Sequence, residues 1–332
     1  MARITFVCPT RTRFTLADRG RGAIGGIETA TIELAHALSA RGHRVVVATR
    51  REGGPQDVDG VLNVALDDAR NHGADLVASS NDPRPLLAAP AGARRVLWLH
   101  NPMAIEKAAR RGWLVPILRL RPDAVFVGTQ AAQAMSRLLP FARRVVVPHG
   151  VGAAFRTAPP SDGSTRRFVF ASQRQRGLAP TLRAWRAEPA LRAAGAELHV
   201  FGTAAAEMGL SDAEAAGAGL HFHPRADQAA LAGAYATARA MLYPGAPDET
   251  FCLAAAEAQA MGLPLVTRGI GALAERVRHG IDGLLADTDA ALMAHAARLA
   301  VDDALWRTLH VGALLQREAL TWDRAAVLWE SL

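Results

Sequence analysis

The stretch YPGAPDETFCLAAAEAQAMGLP, Tyr243 to Pro264, has three parts. Pro244, Gly245 and Pro247 interrupt any strand or helix, so a loop stands first. Phe251 to Met261 is an unbroken run of helix-compatible residues. Gly262 and Pro264 then stop the helix. The loop carries Asp248 and Glu249, and Glu257 sits inside the helix. Carboxylates therefore flank a helix start whose N–H groups favour anions, phosphate above all. A ligand with a phosphate centre and hydroxyls on either side, such as a nucleoside diphosphate sugar, would use all three parts. The plainer reading is an acidic residue favouring the helix dipole and a solvated Glu257.

Upstream, Ile4–Cys8 reads as a buried strand, Glu28–Ala40 as a helix and Arg44–Ala48 as a second strand. Strand, helix, strand at this spacing predicts a parallel sheet. Further strands are expected at 75–78, 95–99, 124–128 and 144–147. Thr157–Thr165, rich in Pro, Ser and Gly, reads as a linker. The pattern then restarts. Strands are expected at 168–171, 197–202, 221–223, 240–243, 263–267 and 284–286, with helices at 179–192 and 227–237 and a mainly helical remainder from Asp289. The fold class is α/β, with two domains and ligands bound outside the carboxyl ends of the strands.

The 332 residues suffice for two cores. A net charge of +7 favours an acidic partner or surface. Lys107 is the sole lysine, which argues against Schiff-base chemistry; a GC-rich coding bias accounts for the preference for arginine. Cys8 and Cys252 match no metal or disulfide spacing, and a reducing cytoplasm fits. No apolar run approaches the roughly 20 residues of a membrane span.

Gly20-Arg21-Gly22-Ala23-Ile24-Gly25 matches a dinucleotide fingerprint, but about a dozen residues separate it from the first strand, against an NAD site. Gly25 and Gly26 leave N–H groups unobstructed before a helix. Asp57-Val58-Asp59 could be a D-x-D metal motif, but no other ligand is in sight and a solvated turn is favoured. His100 ends a strand and suits a proton carrier or hydrogen-bond donor. Lys107–Arg121 interleaves Arg with apolar residues around Pro116, a pattern shared by an anionic-membrane contact and by a core helix with solvated arginines. Arg174 and Arg176 follow the strand that ends near Ala171, and guanidinium forks suit phosphate oxygens.

Glu249-Thr250-Phe251-Cys252-Leu253, with Glu257-Ala258 and Met261-Gly262-Leu263-Pro264, resembles the E-x7-E signature of the GT4 glycosyltransferases, a retaining family with the GT-B fold. Its usual form is E-G-F-G-L-x-x-x-E-A-x-A-x-G-x-P; Thr250 and Cys252 replace two glycines. Gly25-Gly26-Ile27-Glu28 resembles the family's G-G-x-E loop, 145–151 its domain-junction segment, with His149 in place of Asn, and 170–178 its G-R-x-x-x-K-G loop, with Arg176 where the Lys stands.

The resemblance implies two Rossmann-like doubly wound domains facing across a cleft. Residues 1–156 would form the acceptor-side domain and 166–315 the donor domain, with 316–332 a helix packing back towards the first. It implies that Arg174, Arg176 and the N–H groups near Cys252 and Leu253 bind the diphosphate, with Thr250 and Phe251 lining the donor. Glu249 would hold sugar hydroxyls, Glu257 the ribose, and His100 the sugar, so His100 and Glu249 are the catalytic candidates. Gly25 and Gly26 would face the diphosphate and acceptor. The expected reaction moves a sugar from a UDP- or GDP-linked donor to a glycan or lipid-linked acceptor with retention, in cell-surface polysaccharide assembly. No metal, cofactor or nucleic acid is expected, and the location is cytoplasmic, at most peripheral on an anionic membrane. The alternatives are a nucleotide-sugar epimerase, an NAD(P)-binding oxidoreductase and a non-catalytic nucleotide-sugar sensor.

Overall fold

The computed structural model describes residues 1–21, 24–101 and 103–332. It divides into two compact units: Met1–Gly150 with Trp322–Leu332, and Val151–Thr321.

Among the described residues the first unit has an eight-stranded sheet: β1 (Arg3–Val7), β2 (Arg44–Thr49), β3 (Gln56–Val58), β4 (Val61–Ala65), β5 (Leu76–Ser80), β6 (Arg94–Leu99), β7 (Asp123–Phe126) and β8 (Arg144–Val146), in the order β3-β4-β2-β1-β5-β6-β7-β8. Every pairing is parallel except β3 with β4. The central strands read as near-continuous apolar runs, as strands covered on both faces must. Val7, Ala48, Leu97, Leu99 and Phe126 belong to one buried cluster. Trp329, from the Trp322–Glu330 helix, places its ring 5.3 Å from Phe6 and 5.1 Å from Trp98. Glu330 also takes Arg41 and His43, at 2.8 and 2.9 Å, so the last helix is part of the first unit's core and rim.

The second unit has a parallel six-stranded sheet among the described residues: β9 (Arg167–Phe170), β10 (Glu197–Phe201), β11 (Leu220–His223), β12 (Ala240–Leu242), β13 (Leu265–Thr267) and β14 (Gly283–Leu285), in the order β11-β10-β9-β12-β13-β14. Counted within the unit this is 3-2-1-4-5-6, the doubly wound order, whose direction reverses between β9 and β12.

Several expectations are corrected. Thr157–Thr165 is no linker, and the units divide at Gly150/Val151 rather than after 156. Ser161 is buried: its N–H donates to Met261 O (2.7 Å) and its hydroxyl to Ala238 O (2.6 Å), fastening this polar segment into the second unit. The chain rejoins the first unit at Trp322, not 316. Asp59 lies in an exposed turn, as the solvated-turn reading expects, and that turn closes a hairpin whose first strand carries the exposed Asp57. Asp59 (φ +50°) and Gly60 (φ +79°) form its two-residue connection, and Gly60 N–H donates to the Asp57 carboxylate at 3.0 Å. The helix expected over 179–192 is two, Leu178–Ala187 and Pro189–Ala193, because Pro189 starts the second with Glu188 capping it. The 107–121 segment breaks at Gly112, not Pro116. Pro116 sits in the first turn of the Leu114–Leu120 helix, where its missing N–H costs nothing.

Candidate functional site

β9 and β12 are neighbours at the point where strand order reverses, pairing Ala240 with Phe168 and Met241 with Val169. Their carboxyl ends therefore release two loops side by side. The first runs from Ala171 to Gly177 and opens the Leu178–Ala187 helix; the second runs from Tyr243 to Cys252 and opens the Leu253–Ala260 helix. The loops touch at Gly177. Its φ is +89°, and a Cβ there would lie 2.8 Å from Pro244 Cγ, so both backbone and space demand glycine.

Across this contact Arg176 Nη1 pairs with Glu249 Oε1, and Arg176 Nη2 reaches Asp248 Oδ2 at 3.5 Å. The Glu249 side chain is 3% exposed, against 26% for Arg176. Burying a carboxylate this deeply is costly without a partner, and the guanidinium provides one. The bond to Asp248, a mostly exposed carboxylate, is long and readily exchanged for a ligand oxygen.

A third segment holds Glu249. Its N–H donates to Ala246 O and its carbonyl accepts from Ala272 N–H, both at 3.0 Å. Gly271 runs so close that a Cβ would lie 2.1 Å from Ala246 O. Arg276 donates twice to Phe251 O, at 3.0 and 2.7 Å, with its guanidinium 4.3 Å from the Phe251 ring centre. Gly271 and Arg276 were missed in the sequence; the only signal is the glycine spacing of Gly269 and Gly271, which follows no strand-and-helix periodicity.

The helix starts at Leu253, two residues later than expected, because Cys252 turns left-handed at φ +61°, ψ +78°. Thr250, Phe251 and Cys252 are buried and Leu253 is half-buried. Burial pushes the Cys252 thiol up to about 11, so it stays protonated and unreactive at neutral pH. Glu257 is buried, not solvated, and desolvation raises its carboxyl to about 7.

Arg174 is drawn elsewhere: its guanidinium binds Glu207 at 2.6 Å, both side chains about half exposed, rather than joining Arg176. Glu207 lines a hollow of ≈ 670 Å³ with Gly202, Thr203, His223 and Arg225, at the carboxyl ends of β10 and β11.

In the first unit His100 follows β6. Its N–H donates to Asn81 Oδ1 (2.9 Å), as does that of Asn101 (3.1 Å). The His100 ring lies 4.2 Å from Trp98 and stacks on His149 at 5.2 Å; His149 in turn lies 5.5 Å from Trp322. Burial first, then His149, lower the His100 pKa well below its usual value, so the imidazole is neutral. Asn81 and His149 were not predicted as site residues. Gly25 caps and Gly26 begins the Gly26–Ala40 helix, which starts two residues earlier than expected. A Cβ on Gly25 would meet the buried Glu28 carboxylate at 2.4 Å. Gly22 and Ala23 of the glycine fingerprint, and Pro102 after His100, lie outside the described residues.

Residues 166–303 match the family described as glycosyl transferases group 1. Curated relatives include a D-inositol 3-phosphate glycosyltransferase of Nocardioides sp., 40% identical over 124 residues, which are 37% of this chain and 27% of the relative. Its Streptomyces bingchenggensis counterpart is 36% identical over 126 residues, covering 37% and 26%. The chain thus spans about a quarter of the length of the curated relatives it matches. Over 100% of this chain and 98% of the other, the fold matches sucrose-phosphate synthase from Thermosynechococcus elongatus, with a TM-score of 0.77 at 17% identity. Anabaena Alr3699/HepE in complex with UDP and glucose matches with a TM-score of 0.72 at 15% identity, covering 100% and 99%. WaaG, a glycosyltransferase of lipopolysaccharide biosynthesis, gives 0.72 at 15%, covering 98% of each chain. The fold is GT-B, each unit a Rossmann-like sheet.

Proposed function

We propose that this chain, whose residues 166–303 belong with the group 1 glycosyl transferases, moves a sugar from a UDP- or GDP-linked donor onto a glycan or lipid-linked acceptor with retention at the anomeric carbon. The observation that carries the reading is the Arg176–Glu249 pair, formed between the two loops that flank the switch point of the second sheet.

As the sugar–phosphate bond breaks, negative charge grows on the leaving diphosphate. Arg176 and the N–H groups that open the Leu253–Ala260 helix oppose that charge without a metal. Glu249, fixed by Arg176 and by its backbone bonds, accepts hydrogen bonds from sugar hydroxyls. Glu257 takes the ribose, and the hollow beside Gly202 and Arg225 accommodates the base. Arg174 joins the diphosphate by exchanging Glu207 for a phosphate oxygen. We assign acceptor recognition to the first unit, where Gly25, Gly26 and the neutral His100 stand. Acceptor attack is assisted by the leaving phosphate oxygen, since no side chain offers an evident covalent nucleophile. The reaction belongs to cell-surface polysaccharide assembly on the cytoplasmic side, and the basic first-unit segment with exposed Val115 and Leu118 rests on anionic lipid.

A thermal-shift panel of UDP- and GDP-sugars tests the donor assignment. One nucleotide sugar should raise Tm beyond the nucleotide alone, and Glu249→Ala should lose that sugar-dependent increment. An increment unchanged in the variant removes Glu249 from the site. With acceptor present, product retaining the donor's anomeric configuration by NMR is expected; inverted product rejects the retaining assignment.

A further inference from the structure

β10 and β11 run parallel in a register that sets His199 opposite His221 and Phe201 opposite His223. Side chains two apart share a face. One face of this strand pair therefore carries Glu197, His199, His221 and His223, while Leu198, Val200 and Leu220 are buried on the other. His199 Nε2 lies 3.2 Å from one Glu197 oxygen and His221 Nε2 lies 3.8 Å from the other. One ligand atom from each of Glu197, His199 and His221 falls within 4.8 Å of the rest. Two imidazoles and a carboxylate around a zinc-type ion sit about 2.0–2.2 Å from it, which sets tetrahedral donors roughly 3.4 Å apart.

We propose that Glu197, His199 and His221 form a binding site for a divalent transition-metal cation of the Zn²⁺ type. The site adjoins the hollow assigned to the base, which His221 and His223 also line, but metal binding by these side chains does not rest on that assignment. His199 Nδ1 contacts His223 Nε2 at 2.9 Å, the second contact that fixes a ligating imidazole. The cation takes Nε2 of the neutral His199 tautomer whose proton stands on Nδ1. That N–H donates to His223 Nε2, the proton of His223 standing on its own Nδ1, so His223 acts as a positioning residue. The His221 and His223 rings stack on His199 at 4.7 and 5.0 Å, which limits their rotation. Arg167 is the opposing group: its Nε is 3.3 Å from Glu197 Oε2. Its side chain is half exposed and is free to swing into solvent when a cation takes Glu197. The nitrogen-rich donor set selects Zn²⁺, Co²⁺, Ni²⁺ or Cu²⁺ over Mg²⁺ or Ca²⁺. Bound metal would clamp edge strand β11 to β10.

The test is a Zn²⁺ titration of the tag-free full chain against a chromophoric chelator, with Co²⁺ absorption as a second readout. One Zn²⁺ per chain is expected, with intense visible Co²⁺ bands of a four-coordinate site. His199→Ala and His221→Ala should each weaken binding at least ~10-fold, and His223→Ala by about tenfold with recovery in His223→Gln. Arg167→Ala should tighten it, because a competing cation is gone. His279→Ala, elsewhere in the unit, should leave it unchanged. Melting curves in chelator check that each variant folds. Absence of stoichiometric Zn²⁺ binding, or binding that survives the His199→Ala/His221→Ala double substitution, overturns the site. So do weak six-coordinate Co²⁺ bands in the wild type, whatever the variants do.

Discussion

Glu257 lies in a helix of alanines with one leucine and Gln259, and it is the burial of that helix that lifts its carboxyl to about 7. In the unfolded chain a glutamate titrates near 4.5. The folded form therefore holds the proton more tightly, and the sign follows: the full contribution is present below about pH 4.5 and is lost as pH rises through about 7. Glu257→Gln should flatten the pH dependence of stability between pH 5 and 8, gaining on the order of 3 kcal/mol relative to wild type at the alkaline end. Urea denaturation across that range measures it, and parallel curves for the two proteins would refute the burial argument. At this scale the sequence was informative where a motif fixed the residue type, as at Arg176 and Glu249. It named Arg174 but not its capture by Glu207, which depends on a neighbour 33 residues away. It marked His149 as a departure from a motif but not its stacking on His100, a tertiary contact.

Loops are the elements that carry the proposed donor site, and the segment around Gly271 braces the one bearing Glu249. Gly271→Ala adds a Cβ into Ala246 O at a φ of +64°, a left-handed backbone that penalises side chains. Stability should fall by about 2–3 kcal/mol, and the sugar-dependent thermal shift should shrink with it. Wild-type values for both would show that the brace is dispensable. In the first unit, the Leu114–Leu120 helix buries Ile117 and exposes Val115 and Leu118 among arginines. Val115→Asp with Leu118→Asp should abolish flotation with anionic vesicles and leave the melting temperature within about 2 °C, since exposed positions contribute little to the core. Undiminished flotation would move the contact elsewhere. Most strands were legible, because parallel strands covered on both faces show unbroken apolar runs. The β3–β4 hairpin was not read, although Asp59-Gly60 is its signature, because exposed Gln56 and Asp57 lack the alternation that marks a strand.

At the scale of the whole molecule, the restart of the strand–helix pattern was readable, but the boundaries were not. Thr157–Thr165 has the composition of a linker, and the bonds of Ser161, Asp162 and Thr165 show that it is a packed strap of the second unit. The closing helix was readable as helix, but the sequence carries no mark of the Trp329 contact with Phe6 and Trp98. Trp329 is 3% exposed, so Trp329→Ala should cost about 3–5 kcal/mol. In calorimetry the loss should appear in the first unit's transition, with the second unit's left in place; a uniform shift of both would contradict the division.

The chain crosses between the units twice, at Gly150/Val151 and again at Thr321/Trp322. The second unit is thus an insertion within the first, and the order of synthesis is not the order of completion. A ribosome delivers every residue of the inserted unit before the host sheet receives Trp329 and Glu330. Until those residues emerge, the apolar surface around Phe6 and Trp98 waits uncovered, so the nascent first unit is the one that calls for a chaperone.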